Sequence, residues 1–210
     1  MKLGRKNKKT ERILILSFII MVILTSTIPY FISLNEIRTS ILRLHVLANS
    51  DTPEDQNIKM AVRDRILDFG GDIFLEASSK DSKDGAKTSI CQSLDRIRKI
   101  AREVIDEEGK DYDVTVSIEN KYFNTRQYDD VTLPAGLYDS LVIRIGEAKG
   151  KNWWCVMFPP MCLPAATESE ELSGVLDDEE IHIITDDVNY TVKFAVVEAF
   201  EELSHKYYED

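Results

Sequence analysis

Apolar and polar residues alternate along three stretches of the chain, a period of two that is typical of β-strands. The stretches are Ile41–Leu47, Tyr112–Phe123 and Leu137–Gly146. The second and third are predicted to be antiparallel neighbours, because a polar connection with Pro134 and Gly136 joins them. The most apolar stretch of this region, Trp153–Pro160, is predicted to be a third strand of the same sheet.

Spacings of three and four between apolar residues predict amphipathic helices. The first begins near Pro53, where Asp51 or Thr52 can cap it. A second covers Thr88–Glu108 and stops at Gly109, after a polar loop over Glu76–Thr88. The apolar positions of the first helix recur at Ile58, Val62, Ile66, Phe69 and Ile73.

The order of these elements predicts an α+β domain with a small, mostly antiparallel sheet and helices packed on one face. This core domain covers residues 41–163. Residues 164–180 hold seven acids and no base, which favours a mobile acidic loop. Residues 181–210 are predicted to pack on the core as a short strand, Ile181–Ile184, and a final helix, Tyr190–His205.

The N-terminus has the charge and hydropathy pattern of a targeting segment. Six of the 26 Lys and Arg residues fall in residues 1–12, whereas the whole chain has a net charge of −11. Residues 13–34 are mostly apolar, long enough for a retained signal-anchor helix, while Ile13–Leu24 alone fits a cleaved signal peptide. We expect residues 1–12 to be a cytoplasmic head, residues 35–40 a linker and the rest to be exported. A buried core helix is the remaining alternative.

The 210-residue chain holds three cysteines: Cys91, Cys155 and Cys162. Pro159 and Pro160 favour a reversal between the last two, so a Cys155–Cys162 disulfide is predicted for an exported domain. Two buried thiols are the alternative, and a metal site would need more ligands than two thiolates. Cys91 lies in the second predicted helix and is expected to be a small buried residue.

The sequence contains no catalytic motif among those sought, namely the GxSxG, HExxH and glycine-rich nucleotide-binding patterns. His45 and Arg43 point to the outer face of their strand, where we expect a surface or half-buried histidine. The acidic run Asp177–Glu180 could bind a divalent cation, but a solvated acidic face is the simpler interpretation. Adjacent Trp153 and Trp154 should point to opposite faces of a strand, so either both pack in the core or one faces a partner.

Three sequence blocks resemble those of the stage II sporulation protein R family. The first is Leu42–Asp64, LRLHVLANSDTPEDQNIKMAVRD, and the others are Pro134–Tyr138 (PAGLY) and Asn152–Cys162 (NWWCVMFPPMC). The similarity covers most of residues 40–163. Ala148 departs from the family pattern, where we expect a glycine.

The resemblance implies a non-enzymatic signal of endospore formation. Members of this family are exported from the forespore into the space between the two sporulation membranes. There they activate a membrane-embedded aspartic protease that processes pro-sigma E. The implied partners are this protease and, through the N-terminal segment, the membrane. No cofactor, small-molecule substrate or nucleic acid is expected, and an acidic chain is a poor match for phosphates.

Two of the family blocks supply candidate partner-binding residues, and the same residues could equally specify the fold. The candidates are Arg43, His45, Asn49, Ser50, Asp51, Trp153 and Trp154. The rival functions are an extracytoplasmic cell-wall hydrolase that uses an acidic pair and a structural or scaffold protein of the sporulation septum.

Overall fold

A computed structural model describes residues 8–69, 73, 76, 79, 82–128, 131–159, 161 and 174–185. The chain forms two compact units, Met1–Glu36 and Ile37–Asp210. The predicted final helix, the pair Asp186-Asp187, residue Cys162 and most of the predicted acidic loop lie outside the described residues.

The first helix, α1, runs over Lys8–Ser40 and includes Pro29. It therefore continues through residues 35–40, which the sequence analysis assigned to a linker. Among the described residues, no helix combines the length and the hydropathy needed to cross a membrane. The signal-anchor or signal-peptide segment at residues 13–34 stays a prediction.

The described residues of the second unit contain six strands. In chain order they are β1 (Leu42–Leu47), β2 (Val114–Phe123), β3 (Arg126–Tyr128), β4 (Val131–Leu133), β5 (Gly136–Ile145) and β6 (Asn152–Phe158). Four form one sheet in the order β2-β5-β1-β6, and β3 pairs with β4 in a separate hairpin. The sheet is mostly antiparallel, as predicted, with one parallel pair, β1–β5.

The pairing of β2 with β5 confirms the predicted antiparallel neighbours. The strand predicted at Trp153–Pro160 corresponds to β6, which joins the same sheet but pairs with β1. The first strand, β1, therefore lies between β5 and β6, and nearly all of it is buried. An interior strand is covered on both faces, so its polar side chains are also enclosed.

Four further helices complete the described secondary structure. They are α2 (Pro53–Phe69), α3 (Lys83–Gln92), α4 (Leu94–Glu107) and α5 (Asp178–Thr185). The predicted start of α2 is confirmed, because Thr52 Oγ1 accepts a hydrogen bond from the Asp55 N–H at 3.3 Å and Pro53 is the first helical residue. Gly109 has a φ of +69° directly after α4, which is the left-handed conformation that ends helices.

The second predicted helix is in fact two helices. A break at Ser93 separates α3 from α4, and α3 begins at Lys83, inside the segment predicted to be a loop. Ser82 caps α3 by accepting a hydrogen bond from the Gly85 N–H. Cys91 is exposed at the end of α3, so the expectation that it is buried was wrong.

The core lies between one face of the four-stranded sheet and the helices α2, α3 and α4, as predicted. Buried apolar residues of the sheet meet the apolar stripes of these helices; they include Leu42, Leu44, Val46, Ile58, Val62, Ile66, Ile90, Ile97, Ala101, Val104, Leu141 and Ile143. Each fully buried aliphatic side chain stabilises the fold by about 1.5–3 kcal/mol. We call this side of the sheet the helix face.

Residues 181–184 form part of α5, so the predicted strand there was wrong. Asp177 and Glu180 build a capping box: the Glu180 N–H donates to Asp177 Oδ1 and the Asp177 N–H donates to Glu180 Oε2, both at 2.8 Å. Acids in the first turn also complement the helix dipole. The acidic run Asp177–Glu180 thus starts a helix, where the sequence analysis expected the end of a mobile loop.

Candidate functional site

The side of the sheet opposite the helix face carries Arg43, His45 and Trp154, and β3 packs onto it. We call this side the hairpin face. Arg43 and His45 alternate with Leu42, Leu44 and Val46 along β1, so the predicted division of the strand into two faces is correct. The connection that contains β3 and β4 has a polar sequence that predicts no strand, so the cover over this face was not predicted.

Arg43 is fully buried in a cage of aromatic rings. Its guanidinium carbon lies 4.1 Å from the ring centroid of Phe123, 4.9 Å from that of Tyr138 and 5.6 Å from that of Tyr128. Its Nη2 donates to the Tyr128 hydroxyl, whereas Nε and Nη1 have no hydrogen-bond partner among the described residues. No salt bridge to Arg43 occurs among the described residues, so the π faces supply its electrostatic stabilisation.

Tyr138 is one of the rings that enclose Arg43. It is fully buried, and its hydroxyl donates to the Pro134 carbonyl at 2.6 Å. Burial raises the pKa of Tyr138 to about 12, although the nearby charges of Arg43 and Arg38 act in the opposite direction. The phenol therefore stays neutral, and its ring presents an uncharged face to Arg43.

His45 lies next to this cage and is only 5% exposed. Its ring centroid is 5.9 Å from that of Phe123 and 5.7 Å from that of Trp154. The pKa of His45 is lowered to about 4, mainly by burial and also by the charges of Lys121 and Arg144, while Asn152 and Glu119 act in the opposite direction. The imidazole is neutral at physiological pH, and both ring nitrogens are buried without a well-formed hydrogen bond to any described residue.

The expectation of a surface or half-buried His45 was therefore wrong. A strand pattern reports which face a residue is on, but it does not report what covers that face. Here β1 is an interior strand, and the hairpin face is closed over it. The buried, neutral imidazole packs between two rings as a largely apolar group.

Trp154 is the half-buried residue at the border of this cluster. The Arg126 guanidinium carbon lies 3.7 Å from the centroid of its ring, the closest such stacking on the hairpin face. Trp153 points to the helix face, where the Arg63 guanidinium lies 5.1 Å from its ring centroid. The two tryptophans therefore occupy opposite faces, as the alternation of a strand predicts.

An ion pair borders the hairpin face toward β2. The Arg144 guanidinium donates to both carboxylate oxygens of Glu119 at 2.6 and 2.7 Å. This arrangement lowers the pKa of Glu119 to about 2, mainly through the hydrogen bonds from Arg144 and with a contribution from Ser117. The carboxylate is ionised at any pH at which the domain would function.

Asn49, Ser50 and Asp51 lie beyond the other end of β1, away from the aromatic cage. Two of them join the β1–α2 loop to the turn between β5 and β6. Asn49 Oδ1 accepts from the Glu147 N–H at 2.9 Å, and Asp51 Oδ1 accepts from the Lys151 N–H. Ser50 instead bonds to Asp55 at the start of α2.

Asp55 is the buried centre of that loop network. Asn49 Nδ2 donates to Asp55 Oδ2 at 2.8 Å, the Ser50 hydroxyl donates to the same oxygen, and Tyr112 donates to Asp55 Oδ1 at 3.1 Å. Burial alone would raise the pKa of Asp55, but these hydrogen bonds outweigh it and keep the pKa below its ordinary value. Sequence analysis missed Asp55, Phe123, Arg126, Tyr128 and Tyr138.

The candidate binding residues therefore fall into three places. Arg43, His45 and Trp154 come together on the hairpin face, Asn49, Ser50 and Asp51 form the loop network, and Trp153 faces the helices. The aromatic cage could have been anticipated in part, because Tyr138 belongs to the PAGLY block and Phe123 ends an alternating strand. The contribution of β3 could not, since three-residue strands leave almost no periodic signal.

The described residues contain no group of His, Cys, Asp and Glu side chains able to hold a metal ion. Cys155 is disulfide-bonded and Cys91 is free. The predicted partner of Cys155 is Cys162, which lies outside the described residues, so the pairing stays a prediction.

Two comparisons place the chain among known proteins. A family model described as stage II sporulation protein R matches residues 38–168. Stage II sporulation protein R of Bacillus subtilis (strain 168) is 33% identical over 138 residues, which are 66% of this chain and 60% of that relative. No solved structure matches the chain. The matched region contains β1 to β6 and the hairpin face, and the chain belongs to the stage II sporulation protein R family.

Proposed function

We propose that this chain is a non-enzymatic signal of endospore formation that activates a membrane-embedded aspartic protease, the enzyme that processes pro-sigma E. The observation that supports this proposal most directly is the pair Trp154–Arg126 on the hairpin face. Trp and Arg are the residue types most enriched at protein-binding hot spots. A half-buried indole stacked under a guanidinium offers both at one place.

The surroundings of Trp154 favour binding over catalysis. The buried groups next to it are a neutral imidazole and a guanidinium enclosed by rings, and neither is positioned as a general base or acid toward a nucleophile. They hold the shape of the hairpin face. A preordered surface of this kind reduces the conformational entropy that is lost when a partner binds.

In this proposal residues 13–34 direct export across the forespore membrane, and the domain meets the protease in the intermembrane space. The segment then serves as a membrane anchor or is removed as a signal peptide. Binding to the extracytoplasmic part of the protease shifts it toward its active state. The shift can be no larger than the difference between the domain's affinities for the active and inactive states.

Reconstitution in non-sporulating cells tests the function. The pro-sigma substrate and the membrane protease are co-expressed with and without this full chain, and the shortened sigma factor is detected by blotting. Cleavage that depends on this chain supports the signal role. If the amount of shortened sigma factor is the same with and without a chain that is exported and folded, direct activation is refuted. The cell-wall hydrolase and the septum scaffold would then be the functions to test.

A matched pair of variants then tests the hairpin face. Arg126→Ala removes the guanidinium that stacks on Trp154, whereas Arg98→Ala removes a guanidinium from α4, where the side chain is 56% exposed. We expect Arg126→Ala and Trp154→Ala to reduce cleavage at least about tenfold, the effect of losing a hot-spot contact. Arg98→Ala should cleave as well as wild type. Equal cleavage by all of them would exclude this face.

A further inference from the structure

The outer edge of β2 is unpaired in the part of the chain that the structure describes. β2 lies at one end of the four-stranded sheet and pairs with β5 without interruption from Val114 to Phe123. It has 10 residues and contains neither a proline nor a bulge, which are common means of protecting an edge. Such an edge offers a row of N–H and C=O groups to a further strand.

Two opposite charges lie two residues apart on this strand and on the same face. Glu119 and Lys121 both project from the hairpin face. The Glu119 side chain is 31% exposed despite its ion pair with Arg144. Lys121 has no ion pair or hydrogen bond with any described residue. On the helix face Ile118 and Tyr122 are both half-buried beside the edge.

We propose that two copies of this chain associate through their β2 edges, antiparallel, with the twofold axis at Asn120. In this register Glu119 lies opposite Lys121 of the partner subunit, and Lys121 lies opposite Glu119 of the partner subunit. Ile118 then lies opposite Tyr122 of the partner subunit on the helix face. A twofold axis repeats each of these contacts, so one strand supplies a self-complementary surface.

The charges select this register over its neighbours. A shift of the register by one residue would place hairpin-face side chains of one copy opposite helix-face side chains of the other. The competing registers are therefore those shifted by two residues. One such shift places Glu119 opposite Glu119 of the partner subunit, and the other places Lys121 opposite Lys121 of the partner subunit. Like charges directly opposite each other destabilise strand pairing.

A cysteine on the proposed axis tests the pairing. Asn120 and Thr115 are both exposed positions of β2. In the full chain with Cys91→Ser, Asn120→Cys would bring two sulfur-bearing residues together, since directly opposite Cα atoms lie about 4.5–5.5 Å apart, within disulfide range. Thr115→Cys is the matched control, because its two copies would be about 30 Å apart at ~3.3 Å per residue.

After mild oxidation, we expect Asn120→Cys to give at least about tenfold more disulfide-linked dimer than Thr115→Cys on a non-reducing gel. Adding Lys121→Glu to Asn120→Cys should lower the dimer yield by about tenfold, since both ion pairs become repulsive. Equal yields at the two positions, or a yield insensitive to Lys121→Glu, would overturn the proposal.

Sedimentation equilibrium of the wild-type chain provides a measurement that needs no variant. A dimer mass that Lys121→Glu converts to a monomer mass is expected, and a monomer at every concentration would refute the interface. The result is separable from the proposed function. If the chain cross-links but does not cause sigma-factor cleavage, the proposed interface is supported and the proposed function is not. If the chain causes cleavage but never cross-links, only the interface is refuted.

Discussion

The buried, neutral His45 should make the folded domain sensitive to mild acid. Its imidazole packs between the rings of Phe123 and Trp154, and no carboxylate of the described residues is hydrogen-bonded to it. Protonation would place an unpaired cation beside the buried Arg43. The perturbation we choose is His45→Phe, which keeps an aromatic ring between the two neighbours and removes the titrating group.

The magnitude follows from the pKa of His45 in the two states. The ordinary pKa is 6.5, and in the folded domain it is about 4. The unfolded chain therefore binds the proton first, and stability falls as the pH decreases from 6.5 through 4. The full loss is about 3 kcal/mol, of which about 2 kcal/mol is expected between pH 7 and pH 5.

The assay is urea denaturation of the wild-type and His45→Phe chains at several pH values between 7.5 and about 4.5, the range in which histidine charges. Far-UV circular dichroism is the appropriate probe, because Trp154 lies 5.7 Å from the imidazole and its fluorescence would report local protonation. All other ionisable groups are common to the two chains. Their contribution cancels when the two free energies of unfolding are subtracted.

We expect this difference to change in favour of His45→Phe by about 2 kcal/mol between pH 7 and pH 5. The change should be small above pH 7, where the imidazole is neutral in both states. If the two chains lose stability in parallel down to pH 4.5, the imidazole is not buried as the structure places it. The reasoning about the hairpin face would then fail.

Two further predictions concern the loops at the ends of the strands. Asn49→Ala should lower the free energy of unfolding by about 2–3 kcal/mol, since it removes hydrogen bonds to Asp55 and to the Glu147 N–H. Urea denaturation measures this loss, and a loss below about 0.5 kcal/mol would contradict the loop network. Ala148→Gly should raise the unfolding free energy by up to about 1 kcal/mol, because Ala148 has a φ of +54° that costs an L-residue about 1–2 kcal/mol; a lower urea midpoint would contradict this account.

Most of the regular structure could be predicted from periodicity. Where an element buries one face, its pattern is locally encoded, as in α2 with Ile58, Val62 and Ile66 or in β2 and β5. The expected glycine at residue 148 also has a local cause, because the backbone there is left-handed. Such features depend on a few neighbouring residues, so one sequence suffices to reveal them.

The errors occurred where local signals were short or competed. α3 has a polar first turn with Gly85, which favours a loop by composition, although Ser82 caps it. In α5 the apolar run Ile181–Ile184 favoured a strand, whereas the capping box of Asp177 and Glu180 started a helix. In both α3 and α5, the capping hydrogen bonds favour a helix although the local composition favours a loop or a strand.

The environment of the candidate site could not be predicted, since it depends on contacts between distant segments. Arg43 contacts the ring of Tyr128, 85 residues further along the chain. The central place of β1, between β5 and β6, is equally non-local. Sequence pattern assigned Arg43 and His45 to one face correctly, but only the pairing and the hairpin determine that this face is closed.

This division changes which substitutions can reveal a binding surface. Asn49 and Trp154 are both candidate partner-binding residues on sequence grounds, yet they have different environments in the structure. The amide of Asn49 is used within the molecule, so a loss of signalling by Asn49→Ala would report on folding. Trp154 and Arg126 lie at the half-buried border of the hairpin face, and their π stacking can be removed with little loss of core packing. A variant there that stays folded and fails to signal is therefore evidence about the partner.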